Sequence, residues 1–248
     1  MATNESLDIT ITINGMRYYE ISKDYLLPSV TTIIGKFSDK SGLDAWRKRV
    51  GEVEANRISK VSANRGTVMH QLCEYYLTRE GNSSEKLKAA QTQIIPFYKK
   101  EGFTEEEYKS GRKLFYNFYN SKTFDRIKKI VSIEETLYSS KMGGYAGRVD
   151  AIFLDKNDNL IILDFKSSTK PKRNEWITGY KHQIAAYYIA YWEMTGKQPA
   201  GGEIWISNEV DPVPQVFLLG SDVVKKYAKE FLLMVEKFHK QFNSITNI

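Results

Sequence analysis

A single cysteine, Cys73, stands in this chain of 248 residues. One thiol allows neither an internal disulfide nor a four-cysteine iron–sulphur cluster, so no such cluster is expected, and it fits a reducing compartment. No apolar run approaches the roughly 20 residues that span a bilayer, so no membrane partner is expected. The N-terminus has no apolar core of the kind that directs secretion. There is no Gly-x-x-x-x-Gly-Lys-[Ser/Thr] loop anywhere, which removes a nucleotide-driven motor and any need for a nucleotide cofactor. Histidine occurs three times and proline six times, too seldom to pattern the chain but often enough to mark positions.

What is present is the composition of an ordinary folded domain: 42% hydrophobic and 27% charged. The length suits one large domain over residues 1–248, with an N-terminal hairpin at 8–21 and a helical insertion near 82–130. The formal charge of +6 and isoelectric point near 9.1 are compatible with a polyanionic partner. The cations come in clumps: Arg47-Lys48-Arg49, Lys99-Lys100, Arg112-Lys113, Lys128-Lys129 and Lys170 to Arg173. One clump is ordinarily a solvated face; five around one candidate site favour a nucleic-acid groove.

The chain is organised around residues 147–166, which read as two strands, 148–154 and 160–166, joined by a turn of Lys156, Asn157, Asp158 and Asn159. Alternation puts Leu163 and Phe165 toward a core and Asp164 and Lys166 together on the other side. A hairpin sets Asp150 beside Asp164. Two carboxylates and an ammonium at one spot can hold a hard divalent cation and keep a positive group over an attacking water.

Elsewhere, Asn14-Gly15 signals the turn of the first hairpin. Ser29 suits a helix N-cap, and the helix opened at Ser41 offers Leu43, Trp46 and Val50 as a core face. A helix over 61–79 stacks His70 and Glu74 one turn apart on one face. Residues 82–130 read as helices lying as an arch over the site, with Phe115, Tyr116, Phe118 and Tyr119 clustered near Arg112 and Lys113; at least two of those rings belong to a core. Pro96 is expected to kink or bound the first of these helices. Strands are expected at 131–138, 203–208 and 216–219, and helices at 175–195 and 222–242. The sum is an α/β fold, a mixed central sheet flanked by helices, with an added helical region.

The ordered series Arg65-Gly66-x-x-x-His70-x-x-x-Glu74, Gly147-x-x-Asp150, Asp164-x-Lys166 and Gln183-x-x-x-Tyr187 resembles the PD-(D/E)XK nuclease superfamily in its RecB-like branch. The runs Leu27-Pro28-Ser29-Val30-Thr31 and 164–172 are similar to the mitochondrial genome maintenance exonucleases and their bacteriophage relatives.

That resemblance implies a metal-dependent deoxyribonuclease, an exonuclease on single-stranded DNA ends, in a bacterial or phage-infected cytoplasm. A structure-selective endonuclease and a non-catalytic nucleic-acid binder are its rivals. It implies Mg²⁺ or Mn²⁺ held by Asp150, Asp164, the Phe165 carbonyl and His70, with Lys166 positioning water and Gln183 and Tyr187 bordering the substrate. Glu74 is left between orienting His70, binding metal directly and serving as a surface acid. Glu135 is left between the acid that precedes the Gly-x-x-Asp strand and an ordinary surface role. Ser167, Ser168, Lys170 and Lys172, together with Arg47, Arg49 and Arg65, are the candidate DNA contacts.

Overall fold

The computed structural model describes residues 9–242. The ends of the expected domain, including Asp8 of the expected hairpin, lie outside the described residues. Strand β1 (Thr10–Ile13) and strand β2 (Met16–Ser22) are joined through Asn14 and Gly15, whose φ of 51° and 73° is what a two-residue hairpin turn demands. A third strand, β3 (Tyr25–Pro28), completes a small antiparallel sheet in place of a lone hairpin. Helix α1 (Val30–Phe37) opens at Ser29, whose hydroxyl accepts from the Thr32 N–H at 3.0 Å.

Helix α2 (Ser41–Val50) leads through Gly51, at φ 86°, into the long α3 (Glu52–Leu77). The expected helix at 61–79 therefore starts nine residues earlier. Helices α4 (Ser83–Lys100) and α5 (Glu105–Asn120) each open with a reciprocal capping box, Asn82 with Glu85 and Thr104 with Glu107. Pro96 lies inside α4 and does not bound it.

Next come β4 (Ile127–Ser139), β5 (Tyr145–Asp155), β6 (Leu160–Ser168), α6 (Thr178–Thr195), β7 (Gly201–Asn208), β8 (Gln215–Gly220) and α7 (Ser221–Phe242). The main sheet runs β4-β5-β6-β7-β8, antiparallel except for the β6–β7 pair. A parallel pair cannot be closed by a hairpin, and α6 is the crossover that makes it.

The sheet carries a core on each face. On one, Ile152, Ile162, Ile204 and Ile206 pack against α6, α7 and α1. On the other, Phe153, Leu163, Phe165 and Trp205 pack against α3, α4 and α5. Two expectations are corrected here. Residues 82–130 do not arch over the site: Leu114, Phe115 and Phe118 of α5 are fully buried and seal a helical layer onto the sheet. The apolar face of α2 is not core either, since none of its residues is buried and Leu43 stays 51% exposed.

Candidate active site

The site forms where two strands part. Pairing between β5 and β6 runs from Leu154↔Leu160 to Ala151↔Leu163 and then stops. Asp150 and Asp164 are the next residue on each strand, so both carboxylates sit at the fork. The Phe165 N–H, just past the fork, donates to Asp150 Oδ2 at 2.6 Å. Beyond it β6 stays paired with β7 as far as Ser168↔Asn208, which keeps Lys166 on rigid backbone.

Three elements meet this fork. From α3, His70 brings Nδ1 to 3.5 Å from Asp150 Oδ2, and its ring stands edge-on to Phe165 at 6.1 Å. From β4 comes Glu134, whose φ of 50° is unusual for a residue with a Cβ and marks an irregular point in the strand. His70, Glu134 and Asp150 present ligand atoms within 4.8 Å of one another. Lys166 Nζ lies 2.6 Å from Oδ1 and 2.5 Å from Oδ2 of the wholly buried Asp164. From α6, the Tyr180 ring lies 5.2 Å from the same ammonium. Tyr187 accepts from Gln183 Nε2 at 3.1 Å. Gly147 makes room for it, because a Cβ there would come within 2.9 Å of the Tyr187 ring.

The charges are strongly coupled. Burial lowers the His70 imidazole and the Asp150 carboxylate beside it more than offsets this, so His70 titrates above its ordinary value although 29% of its side chain is reachable from the cleft. Burial raises Asp150, but His70, Lys166 and the Phe165 N–H pull it below the usual carboxylate range. Burial, with Asp150 adding to it, pushes Asp164 up to about 6 against the pull of Lys166. Glu134 rises to about 7, first through burial and then through Asp150. Burial works against the Lys166 ammonium, yet Asp164 and Asp150 hold its pKa above the ordinary value.

These residues fit a divalent cation. Like charges gathered at one point repel unless something positive joins them, and carboxylate and imidazole are both donors that divalent cations accept. Asp164 Oδ2, buried and close to Lys166, has no hydrogen bond of proper geometry. The cation nearest that oxygen is the Lys166 ammonium, so the fit to a metal rests on the clustered ligand atoms of His70, Glu134 and Asp150.

The expected site residues fall into two groups. Asp150, Asp164, Phe165, Lys166, His70, Gln183 and Tyr187 come together. Glu74 and Ser167 line the same polar cavity of about 530 Å³, with Glu74 bonded to Gln71 and Asp150 facing His70 Nδ1 in its place. Glu135 does not join them. It lies on the other side of β4 near Tyr191, and its neighbour Glu134 faces the site. Arg65 is also elsewhere than expected: it is buried, ion-paired to Glu209 and bonded to Thr169 at 3.1 Å, which makes it a strut under a loop. Arg47 pairs with Glu52 and Asn56, Arg49 is exposed on α2, and neither lines the cavity. Ser168 spends its hydroxyl on the Lys170 carbonyl at 2.8 Å. Lys170 is exposed, and the Lys172 backbone is bonded to Gln215.

Among the lining residues that the sequence reading did not single out are Glu134, Arg148 and Arg17. Arg148 Nε bonds Glu134 at 2.8 Å, and Arg17 reaches Thr31 Oγ1 at 2.9 Å. The spacing Arg148-x-Asp150 could have drawn attention to the first guanidinium. Nothing local marks Arg17, which arrives from the small N-terminal sheet.

A forked sheet that presents Asp150 opposite Asp164-Phe165-Lys166, with an imidazole and a further acid closing round, defines a nuclease of the metal-dependent phosphodiester-hydrolysing kind. The chain belongs to the PD-(D/E)XK nuclease superfamily, whose sequence model matches residues 41–244. No curated protein matches it at a significant level. Among solved structures it is similar to a candidate exonuclease from Eubacterium rectale, at 13% identity and a TM-score of 0.47, covering 74% of this chain and 68% of that one. It is also similar to a protein designated SSO0001, at 12% identity and a TM-score of 0.33, covering 68% of this chain and 84% of the other. Nucleases of this superfamily generally depend on divalent metal ions.

Proposed function

We propose that this nuclease is a DNA exonuclease that works from single-stranded ends with Mg²⁺ or Mn²⁺. The observation that carries the chemistry is the convergence of His70, Glu134 and Asp150 with the Asp164–Lys166 pair at the fork between β5 and β6. Asp150, His70 and Asp164, with the Phe165 carbonyl, are the residues that would hold the cation, and Glu134 joins them as a further acid. When bound, the cation lowers the pKa of water and offsets charge that builds on the scissile phosphate.

The chain's own groups do the rest. Lys166, held by Asp164, orients the attacking water and faces the negative charge that grows during attack. Gln183 and Tyr187, locked to each other, form the wall against which the sugar–phosphate backbone rests. Arg17 and Arg148 line the same cavity and offer guanidinium forks to the phosphates on either side of the cleaved bond. The preference for free single-stranded ends is supported by the resemblance to the mitochondrial and phage exonucleases.

End-labelled linear and circular single-stranded DNA, each incubated with Mg²⁺ or Mn²⁺, test this. Linear strands should be shortened from an end, circles should survive, and EDTA should stop the reaction. Cleavage of circles as fast as linear strands would replace the exonuclease with an endonuclease. K166A should lower the rate at least about 1000-fold while leaving single-strand binding within about twofold. A wild-type chain that binds DNA but cleaves none with either metal would instead be a binding protein.

A further inference from the structure

Beyond β6 the chain runs Thr169-Lys170-Pro171-Lys172-Arg173-Asn174-Glu175-Trp176, with three cations and one acid. Trp176 is 59% exposed, the most exposed aromatic side chain among the described residues. An indole left in water forgoes most of the stabilisation that burying it would bring. The Arg173 guanidinium lies 5.1 Å from the centre of its ring, and ring surface remains open for another planar group.

The loop itself is not slack. Gln215 bonds the Lys172 backbone on both sides, accepting at 2.6 Å and donating at 2.9 Å. Ser168 holds the Lys170 carbonyl, Arg65 holds Thr169, and Lys181 Nζ holds the Asn174 carbonyl at 3.0 Å. Buried and half-buried polar groups are thus spent on fixing a surface loop whose Lys170 and Arg173 are exposed and whose Lys172 is half-buried. The run then passes directly into the first turn of α6, where the Tyr180 ring meets the Lys166 ammonium.

We infer that this loop is a docking platform for an unpaired nucleobase of the substrate strand. Trp176 takes the base on its open face, Lys170 and Lys172 hold the flanking phosphates, and Arg173 bridges the two. The inference rests on the proposed nuclease activity for the identity of the strand and deepens it, because it places selection for single strands in one side chain. A base within a duplex is already stacked on both faces and cannot lie on the indole, whereas phosphates are common to both forms. The ties that hold the loop mean that little ordering entropy is lost when the strand arrives.

Anisotropy of a labelled single-stranded oligothymidylate, and of a duplex of equal length, is to be measured in EDTA so that nothing is cleaved. W176A should weaken single-strand binding about tenfold, as the loss of one stacked base does, and duplex binding less than about twofold. W176F, which keeps a ring, should recover most of the loss. Hydrolysis of bis(p-nitrophenyl) phosphate, which has no neighbouring base, should be unchanged in both variants. Equal weakening on single strand and duplex, no weakening on either, or a wild type that binds no single strand overturns the platform. Trp176-dependent binding by a wild type that cleaves no nucleic acid with Mg²⁺ or Mn²⁺ upholds the platform and overturns the nuclease.

Discussion

Glu134 shows how much depends on one side chain turned to the wrong face of a strand. It stands beside Asp150 with its ordinary pKa of 4.5 raised to about 7, while Asp164 is raised from 3.8 to about 6. A carboxyl raised by folding must give up its proton more reluctantly in the folded chain, so the folded state loses ground as pH rises from the unfolded value through the folded one. His70, raised above 6.5, acts in the same direction, because its stabilisation exists below that value and is lost as pH rises through the higher folded one. Asp150 has the opposite sign, but its window lies below 3.8. Without metal, therefore, the melting temperature should fall between roughly pH 4 and pH 7, with His70 extending the fall above 6.5. E134Q should flatten much of that fall, and a divalent cation should reverse it in the parent chain, since ligands must be deprotonated to bind. Thermal melts in EDTA across this range, repeated with Mn²⁺, check all three. A melting temperature that climbs with pH in EDTA would remove Glu134 from the site.

Between elements, the decisive contact is the crossing of α5 over α3, the helix that carries His70. A Cβ at Gly111 would lie 2.5 Å from Val68 Cβ and 2.7 Å from the Arg65 carbonyl oxygen, a clash with backbone that no rotamer relieves. G111A should destabilise the fold by about 1–3 kcal/mol in urea unfolding and, by displacing α3, weaken metal binding. Gly35 in α1 is the contrasting case: a Cβ there meets nothing, so G35A should be neutral or stabilising by up to about 1 kcal/mol.

The same elements show what was legible in the chain. Alternation along β6 fixed the opposite facing of Phe165 and Lys166, because a period of two leaves no choice. The hairpin at Asn14-Gly15 was legible for an equally local reason, because both turn residues accept positive φ. The identity of the third acid was not, because alternation alone cannot locate the irregular point at Glu134. Nor was the direction in which α4 and α5 pack. Their aromatic and basic residues suit a substrate arch and a core equally, and only burial of Phe118 against Phe165 and Trp205, and of Phe115 against Tyr76 and Phe124, decides between them.

Across the whole molecule, where the cations stand matters more than the net charge of +6. Several cations are committed within the fold: Arg126 to Glu203, Lys128 to Asp158, Arg65 to Glu209, and Lys113 to the Glu209 carbonyl. Those near the site are placed differently. Arg17 and Arg148, the latter paired to Glu134, line the cavity, and Lys170, Lys172 and Arg173 follow β6 out of it. Each phosphate neutralised on a single strand releases condensed counterion, giving a slope of log K against log salt near −0.7 per contact, so five contacts predict about −3.5. R17A should bring the slope up by about 0.7 and leave the thermal shift caused by Mn²⁺ unchanged, because Arg17 lines the cavity but is not among the clustered ligand residues His70, Glu134 and Asp150. K128A should leave the slope alone, since its partner Asp158 sits in the turn between β5 and β6, at the end of that hairpin away from the fork. Titrations of a single-stranded oligonucleotide over a tenfold range of salt in EDTA measure all three slopes. Equal slopes for R17A and K128A would show that binding follows total charge, and would remove the small N-terminal sheet from the path of the strand.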